Sequence, residues 1–382
     1  MRILHTSDWH LGRSFHREGM LGAQAAFVDF LVEVVVRERV DVVLVAGDVY
    51  DRALPAVDAV ALFDDALSRL VAAGARVVLL SGNHDSASRL GFGSRLLDAA
   101  GVHLRTDPRA VGTPVLLQDD HGPVALYPLP YLEPDAAGPL LACDERGHAA
   151  VLGAAMRLVR ADLSRRRGTR SVVAAHAFVS GGLPSDSERD ISVGGIGAVT
   201  ASVFDGVDYA ALGHLHGPQQ LGPAVRYSGS PLAYSFSEAR HTKSVALVEL
   251  GASGLGSVEV VPCPVPRPLA TLRGSLDDLL TGAQHAHLED SWLQVTLTDA
   301  VRPREPMERL RARFPHVLVL GFDPVGGPQR AQGYSELVRG LDDLGLAAGF
   351  VEHVRAGAAP TDAETALLRE AFEAVRLREA VA

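Results

Sequence analysis

The sequence predicts an α/β protein built as a two-sheet sandwich with helices outside, followed by a small α+β unit and a helical C-terminal region. Three observations carry this expectation. Apolar strand-like runs alternate with segments of helical period through the first hundred residues, β-like runs then become denser up to about residue 250, and a proline cluster at residues 261–268 breaks the pattern. Alternating β and α segments point to βα units and a largely parallel sheet.

Taken in order, Ile3 to Thr6, Val42 to Ala46 and Val77 to Leu80 are apolar runs of strand length, separated by helical spacing over Ala23 to Arg39 and Val57 to Ala73. Beyond Ala100, strands are expected at Val124 to Pro128, Ser171 to Ala175, Tyr209 to Leu212, Val225 to Tyr227 and Val245 to Leu250, with a helix over Ala149 to Arg165. In "VPCPVPRP", residues 261–268, four prolines in eight residues read as a linker. After it, Leu269 to Leu272, Trp292 to Leu297 and Val317 to Leu320 read as strands and Met307 to Phe314 as a helix. Past a Gly and Pro cluster near residues 324–333 the chain reads as helical. Thr361 with Glu364 three residues on forms a capping box, and Leu367, Leu368, Ala371, Phe372, Val375 and Leu377 give an apolar stripe. Such a helix either packs on its own domain or binds a partner. The expected domains are 1–265, 266–335 and 336–382.

The chain has 382 residues, which suits more than one domain, and 47% apolar with 21% charged residues is a folded, globular composition. Its net charge of -10 gives no strong basic field, so a role on nucleic acid would need metal ions, a local Arg patch or a partner. Two cysteines, Cys143 and Cys263, make no disulfide framework and suit a reducing compartment. The first residues enter a strand directly and no apolar run is long enough to span a bilayer, so the expected location is the cytoplasm, with no membrane partner. Lys243 is the only lysine and follows Thr242, which excludes a G-x-x-x-x-G-K-[ST] loop and an ATP site of that kind.

The residues able to do chemistry stand at strand ends. They are Asp8 and His10, then Asp48 in "AGDVYD", Asn83 and His84 in "SGNHD", His176 in "AAHAF", and His214 and His216 in "LGHLH". Ligands of open α/β sheets bind at the carboxyl ends of strands, so these five loops can converge. Gly47, Gly82 and Gly213 are expected to let the backbone turn sharply off each strand. Two Asp, one Asn and at least four His exceed the needs of one tetrahedral zinc and suit two ions sharing a carboxylate. The donor types favour Mn(II), Fe or Zn, with Mn(II) or Mg(II) where oxygen dominates.

In this order D-x-H, G-D-x-x-D, G-N-H-D, a later His and G-H-x-H resemble the signature of the calcineurin-like metallophosphoesterases. More narrowly, "MRILHTSDWHLGR", "VAGDVYD", "SGNHDS", "ALGHLH" and "RYSGSPLAYSFSE" are similar to the SbcD-type bacterial nuclease subunits over most of the chain. The resemblance implies one metal on Asp8, His10 and His216, a second on Asn83, His176 and His214, Asp48 bridging them, and His84 over the scissile phosphate. It implies two divalent ions, Mn2+ foremost, with Mg2+, Fe2+ or Zn2+ as alternatives. It further implies DNA as substrate, an SbcC-type coiled-coil ATPase as partner, and a homodimer within a heterotetramer. Residues 1–265 would be the nuclease domain, 266–335 a capping domain that positions DNA, and 336–382 a partner-binding region. The same metal core also serves phosphatases and small-molecule phosphodiesterases, because fold alone does not fix substrate. A scaffold that lost its chemistry is a third possibility, against which all the expected ligands and His84 are present.

Several residues are left with two readings. Asp51 and Asp85 either orient ligands or cap loops, and Arg13, His16 and Arg17 either face DNA or form a polar surface loop. His5 reads as structural. His285 and His287 lack an accompanying carboxylate strand end, and the polar segment 184–195 is placed to border the site. Trp9, continued by "LGR", is what narrows the resemblance from phosphoesterases to nucleases.

Overall fold

Val42–Ala46 reads VVLVA and is buried at every position, so its sheet must be covered on both faces. In the computed structural model, which describes residues 1–189, 191, 199–325, 342–355 and 357–379, that covering comes from a second sheet on one side and helices on the other. The chain forms two compact units, Met1–Pro266 and Arg267–Ala382.

The strands of the two large sheets of the first unit are β1 (Arg2–Thr6), β2 (Val42–Ala46), β3 (Arg76–Leu80), β4 (Val102–Arg105), β5 (Val115–Asp119), β6 (Gly122–Leu129) and β7 (Arg170–His176). They continue with β8 (Tyr209–Gly213), β9 (Gln219–Gln220), β10 (Val225–Tyr227), β11 (Ser244–Gly251) and β12 (Gly254–Pro262). One sheet has the order β12-β11-β1-β2-β3-β4 and the other β9-β10-β8-β7-β6-β5. β1 to β4 are parallel neighbours, as are β6, β7, β8 and β10, which sends all their carboxyl ends the same way within each sheet.

Alternation along each strand divides its side chains between two layers. Val42 and Leu44 meet Leu126, Ala174 and Ala211 between the sheets. Val43 and Val45 face outward onto Phe27 and Leu31 of α1 (Leu21–Glu38) and Phe63 and Leu70 of α2 (Val57–Ala72). On the second sheet, Val173, Ala175 and Leu212 pack against Leu152, Ala155 and Val159 of α3 (His148–Leu163). Burying one such Val, Leu or Phe side chain contributes about 1.5–3 kcal/mol.

The structure corrects the reading of the proline cluster. Val261 and Pro262 belong to β12, and Cys263 still donates its N–H to Lys243 O at 2.8 Å. β12 is an edge strand, where the missing N–H of proline need not break a ladder.

In the second unit, β13 (Leu269–Gly274), β14 (Trp292–Leu297) and β15 (Val317–Phe322) form a parallel sheet. Leu272, Leu293, Val295 and Val317 pack there with Leu279 of α4 (Leu276–Thr281) and Leu310 of α5 (Pro306–Arg313). Among the described residues two helices follow, α6 (Asp343–Val354) and α7 (Asp362–Glu379). The capping box forms: Glu364 N–H donates to Thr361 Oγ1 at 3.3 Å, and Thr361 N–H to Glu364 Oε2 at 2.8 Å. On the expected stripe Leu367 is exposed and Leu368 and Phe372 are half-buried; the side chains of Val375 and Leu377 lie outside the described residues, as do residues 326–341 of the two expected C-terminal regions. No helix among the described residues is long and apolar enough to cross a membrane.

Candidate metal centre

Five strand ends of the first unit deliver the eight residues to one place. β1 leads to Asp8 and His10, β2 to Asp48, β3 to Asn83 and His84, β7 ends on His176, and β8 leads to His214 and His216. Asp8, His10, Asp48, His84, His176, His214 and His216 are all buried. Four of them have left-handed backbone, with φ of 53° at Asp8, 46° at His10, 49° at Asp48 and 111° at His214. Such conformations are uncommon outside glycine and persist where surrounding contacts impose them. Here Asp8 N–H donates to Gly47 O and His10 N–H to Asp48 O, both at 3.0 Å, while His214 N–H donates to the Asp8 carboxylate at 3.1 Å.

The glycines have two reasons rather than one. Gly47 has φ +91° and makes the expected turn. Gly82 and Gly213 lie outside the left-handed region; a Cβ on Gly82 would fall 2.1 Å from Asp48 Oδ1, and one on Gly213 would fall 1.9 Å from Ala46 O. At these two positions close approach, not turning, requires glycine.

Donor atoms gather around Asp48, whose Oδ2 lies 3.5 Å from His176 Nε2, 3.7 Å from His10 Nε2 and 3.9 Å from His84 Nε2. Three overlapping sets, Asp8 with His10 and His216, Asp8 with Asp48 and His176, and His10 with Asp48 and His84, each bring their donor atoms within 4.8 Å of one another. His10 Nε2 and His216 Nε2 stand 3.0 Å apart. Asn83 Oδ1 lies 2.8 Å from His176 Nε2 and 3.3 Å from His214 Nδ1. It is His10 Nε2 that faces the cluster; His10 Nδ1 is buried on the other side of the ring, 4.0 Å from Asp51 Oδ1. Carboxylate, amide and imidazole donors at this density fit divalent ions of the Mn, Fe, Zn or Mg type.

Three of the imidazoles are held in the neutral form that a metal ligand needs, while His176 and Asp8 are pulled toward their protonated forms. Burial lowers the pKa of His10 and of His84, and holds that of His214 down at about 3, favouring neutral imidazoles. Asp48 is buried too, yet His176 and the other imidazoles around it hold its carboxyl well below the usual range. His176 shows the reciprocal effect: burial opposes its charge, but Asp48 and Asp8 raise it to about 9. Burial raises Asp8 to about 6, against the pull of His176 and His216.

Asp85 ties the Asp48 and Asn83 loops together by accepting from Val49 N–H at 3.1 Å and from Tyr50 and Gly82 N–H at 2.9 Å. Asp51 accepts from His84 Nδ1–H through its main-chain oxygen at 2.8 Å, and its carboxylate lies 3.7 Å from Arg13 Nε and 4.0 Å from His10 Nδ1. His5 is structural: Nδ1 accepts from Tyr209 OH at 2.9 Å and Nε2–H donates to Leu212 O at 3.1 Å, joining the two sheets below the site. Trp9 is a core residue, donating to Thr6 Oγ1 at 3.0 Å and packing edge-on against Phe27.

The Arg13 guanidinium lies over Tyr234, donates to Ser187 O at 2.9 Å and keeps a buried Nη1 without a partner; His16 and Arg17 are exposed. His285 and His287 lie in the second unit on a turn, Ala283–Leu288, that has no buried residue. Residues 190 and 192–195 of the polar segment lie outside the described residues. The preceding part does touch the site: Ser187 Oγ is 2.6 Å from His216 Nδ1, and Glu188 Oε1 accepts from His216 N–H at 2.7 Å. Ser187 and Glu188 fall in the segment expected to border the site, whereas sequence reasoning missed Glu238 and Lys243, for which the lone lysine in 382 residues is the available signal.

Residues 1–218, more than half of the chain, match the family model of the calcineurin-like phosphoesterases, and the chain belongs to that family. With its converged carboxylates and imidazoles it is a metal-dependent phosphoester hydrolase in class. Residues 265–355 match a second model, the SbcD_C domain, described as the type 5 capsule protein repressor C-terminal domain. Similar solved structures include TT1561 of Thermus thermophilus, at 14% identity over 68% of this chain and 98% of that one, with a TM-score of 0.40. GAP50, the anchor in the inner membrane complex of Plasmodium, matches at 12% identity over 86% and 99%, TM-score 0.40. A dimetal phosphatase from Danio rerio matches at 15% identity over 69% and 99%, TM-score 0.39.

Proposed function

We propose that this chain is the nuclease subunit of an SbcCD-type complex, hydrolysing DNA phosphodiester bonds as a double-strand exonuclease and a single-strand or hairpin endonuclease in repair, recombination and replication. The observation that supports it is the joining, in one chain, of a calcineurin-like phosphoesterase over residues 1–218 to an SbcD_C domain over residues 265–355. With no lysine after a glycine in the chain, ATP hydrolysis falls to an SbcC-type coiled-coil partner. Residues 266–335 would position DNA, 336–382 would bind the partner, and two copies would meet in a heterotetramer in the cytoplasm.

In this reading Asp8, His10 and His216 would hold one ion and Asn83, His176 and His214 the other, with Asp48 available to both. Divalent ions held there, Mn2+ foremost, would supply charge stabilisation for phosphoryl oxygens and a more acidic water. The protein does the rest. Asp85 fixes two ligand loops, and main-chain contacts hold Asp8 and His10 in strained backbone. His84 has Nδ1–H committed to Asp51 O, so Nε2 becomes a donor by taking up a proton. The negative charge of a phosphodiester favours that form, and the imidazolium can then stabilise or protonate the leaving oxygen.

The net charge of -10 favours the competing reading, a phosphatase or small-molecule phosphodiesterase. Purified chain with Mn2+ should be given linear duplex DNA in one arm and p-nitrophenyl phosphate esters in the other. Cleavage of the duplex is expected; turnover of the small esters alone would sink the nuclease reading.

A further inference from the structure

His216 is held at three points by groups that none of the ligand assignments use. Its main-chain N–H donates to Glu188 Oε1 at 2.7 Å, its carbonyl accepts from Lys243 Nζ at 2.9 Å, and its ring Nδ1 faces Ser187 Oγ at 2.6 Å. The same hydroxyl donates to Glu238 Oε1 at 2.7 Å. Glu238 also accepts from Tyr234 N–H at 3.0 Å and pairs through its other oxygen with Lys243, the chain's sole lysine, whose Nζ donates to Ser230 Oγ at 3.0 Å as well. Ser187, Glu238 and Lys243 are all buried.

Counting protons fixes the direction of this chain of bonds. Every partner of Glu238 is a donor, so its carboxylate only accepts. Ser187 Oγ also lies 2.9 Å from Ser185 Oγ, whose own hydrogen goes to Glu188 Oε2 at 2.6 Å, so the one hydroxyl hydrogen of Ser187 is spent on Glu238 and Ser187 Oγ must accept from His216. His216 then carries its proton on Nδ1 and leaves the Nε2 lone pair facing His10 Nε2 and Asp8. A buried ion pair is weak support for stability, so what Lys243 and Glu238 contribute here is direction.

We infer that Ser187, backed by the buried Glu238 and Lys243 pair, is a positioning residue that fixes His216 in its Nδ1–H tautomer and so presents Nε2 as a metal donor. The inference rests on the two-ion reading of the site for its last clause only. It makes segment Ser185 to Glu188 part of the metal centre, although no residue of that segment is a ligand. A ligating imidazole whose other nitrogen is held in this way gains both orientation and basicity.

The test uses the full chain labelled with 15N-histidine and free of metal, with the His216 signal identified by its loss in His216→Ala. Long-range proton–nitrogen correlation is expected to show a protonated Nδ1 and a bare Nε2 in the wild type, and a changed or mixed tautomer in Ser187→Ala. By calorimetry, Ser187→Ala should weaken Mn2+ binding by about 10- to 100-fold, and Ser187→Thr, which keeps the hydroxyl, should recover most of it. A wild-type His216 protonated on Nε2, or a Ser187→Ala chain with undiminished Mn2+ affinity, would overturn the inference. So would a metal-free Ser187→Ala chain that melts well below wild type, because the role would then be structural. If the wild type takes up no Mn2+, the two-ion reading fails, and the tautomer measurement still decides the relay.

Discussion

The two sides of the proposed metal centre are braced by different materials. His176 is the last residue of β7, and its Nδ1 donates at 3.0 Å to Ala46 O, a main-chain atom of β2 in the other sheet. His216 lies past the end of β8, and its ring is held by a serine that is held in turn by a carboxylate and an ammonium. One brace is as rigid as the two sheets it joins. The other depends on three side chains from separated segments, so changes there can tune one side of the centre while leaving the fold alone.

The largest effect is expected where the two sides meet. Asp48→Asn removes charge from the carboxylate facing His10, His84 and His176, and duplex cleavage should fall by about 10^3-fold. A variant retaining a tenth of wild-type turnover would show that the two sides do not share that residue. His84→Ala touches neither brace; cleavage should fall by about 10^2- to 10^4-fold while calorimetry still finds Mn2+ bound. Unchanged cleavage would remove His84 from the mechanism.

Gly213→Ala strikes the rigid brace, since the new Cβ would lie 1.9 Å from Ala46 O, the acceptor of His176. Urea denaturation should show a loss of about 1–3 kcal/mol, and equal stability would mean the sheets can part at that point without cost.

The last effect is silent at neutral pH and concerns His5, which joins both sheets. Burial lowers its pKa from 6.5 to about 3 in the folded chain. Above pH 6.5 it is neutral folded or unfolded; as pH falls toward 3 only the unfolded chain takes up the proton, so stability declines. One such group contributes up to about 1.4 kcal/mol per pH unit. His5→Gln should flatten that part of the stability profile, and an identical slope in the variant would exclude His5 as its source.

The eight strand-end residues were legible because metal chemistry draws on few residue types and an apolar run marks each strand end. What tertiary contacts decide was hidden. The left-handed φ at Asp8, His10, Asp48 and His214 comes from bonds between loops far apart in sequence, and the reason for Gly82 and Gly213 is a neighbour's atom, not their own turn. β12 was masked because proline reads as a breaker, and only its edge position makes Pro262 acceptable. Ser187, Glu238 and Lys243 are ordinary polar residues until the fold brings them together behind His216. Trp9 supports the motif from the core, packed against Phe27.

Metal stoichiometry tests the two-sided centre most directly. Native mass spectrometry of the full chain with Mn2+ should find two ions per chain in the wild type, and one in each of His216→Ala and His176→Ala. A wild-type chain that binds a single ion at saturation would contradict it.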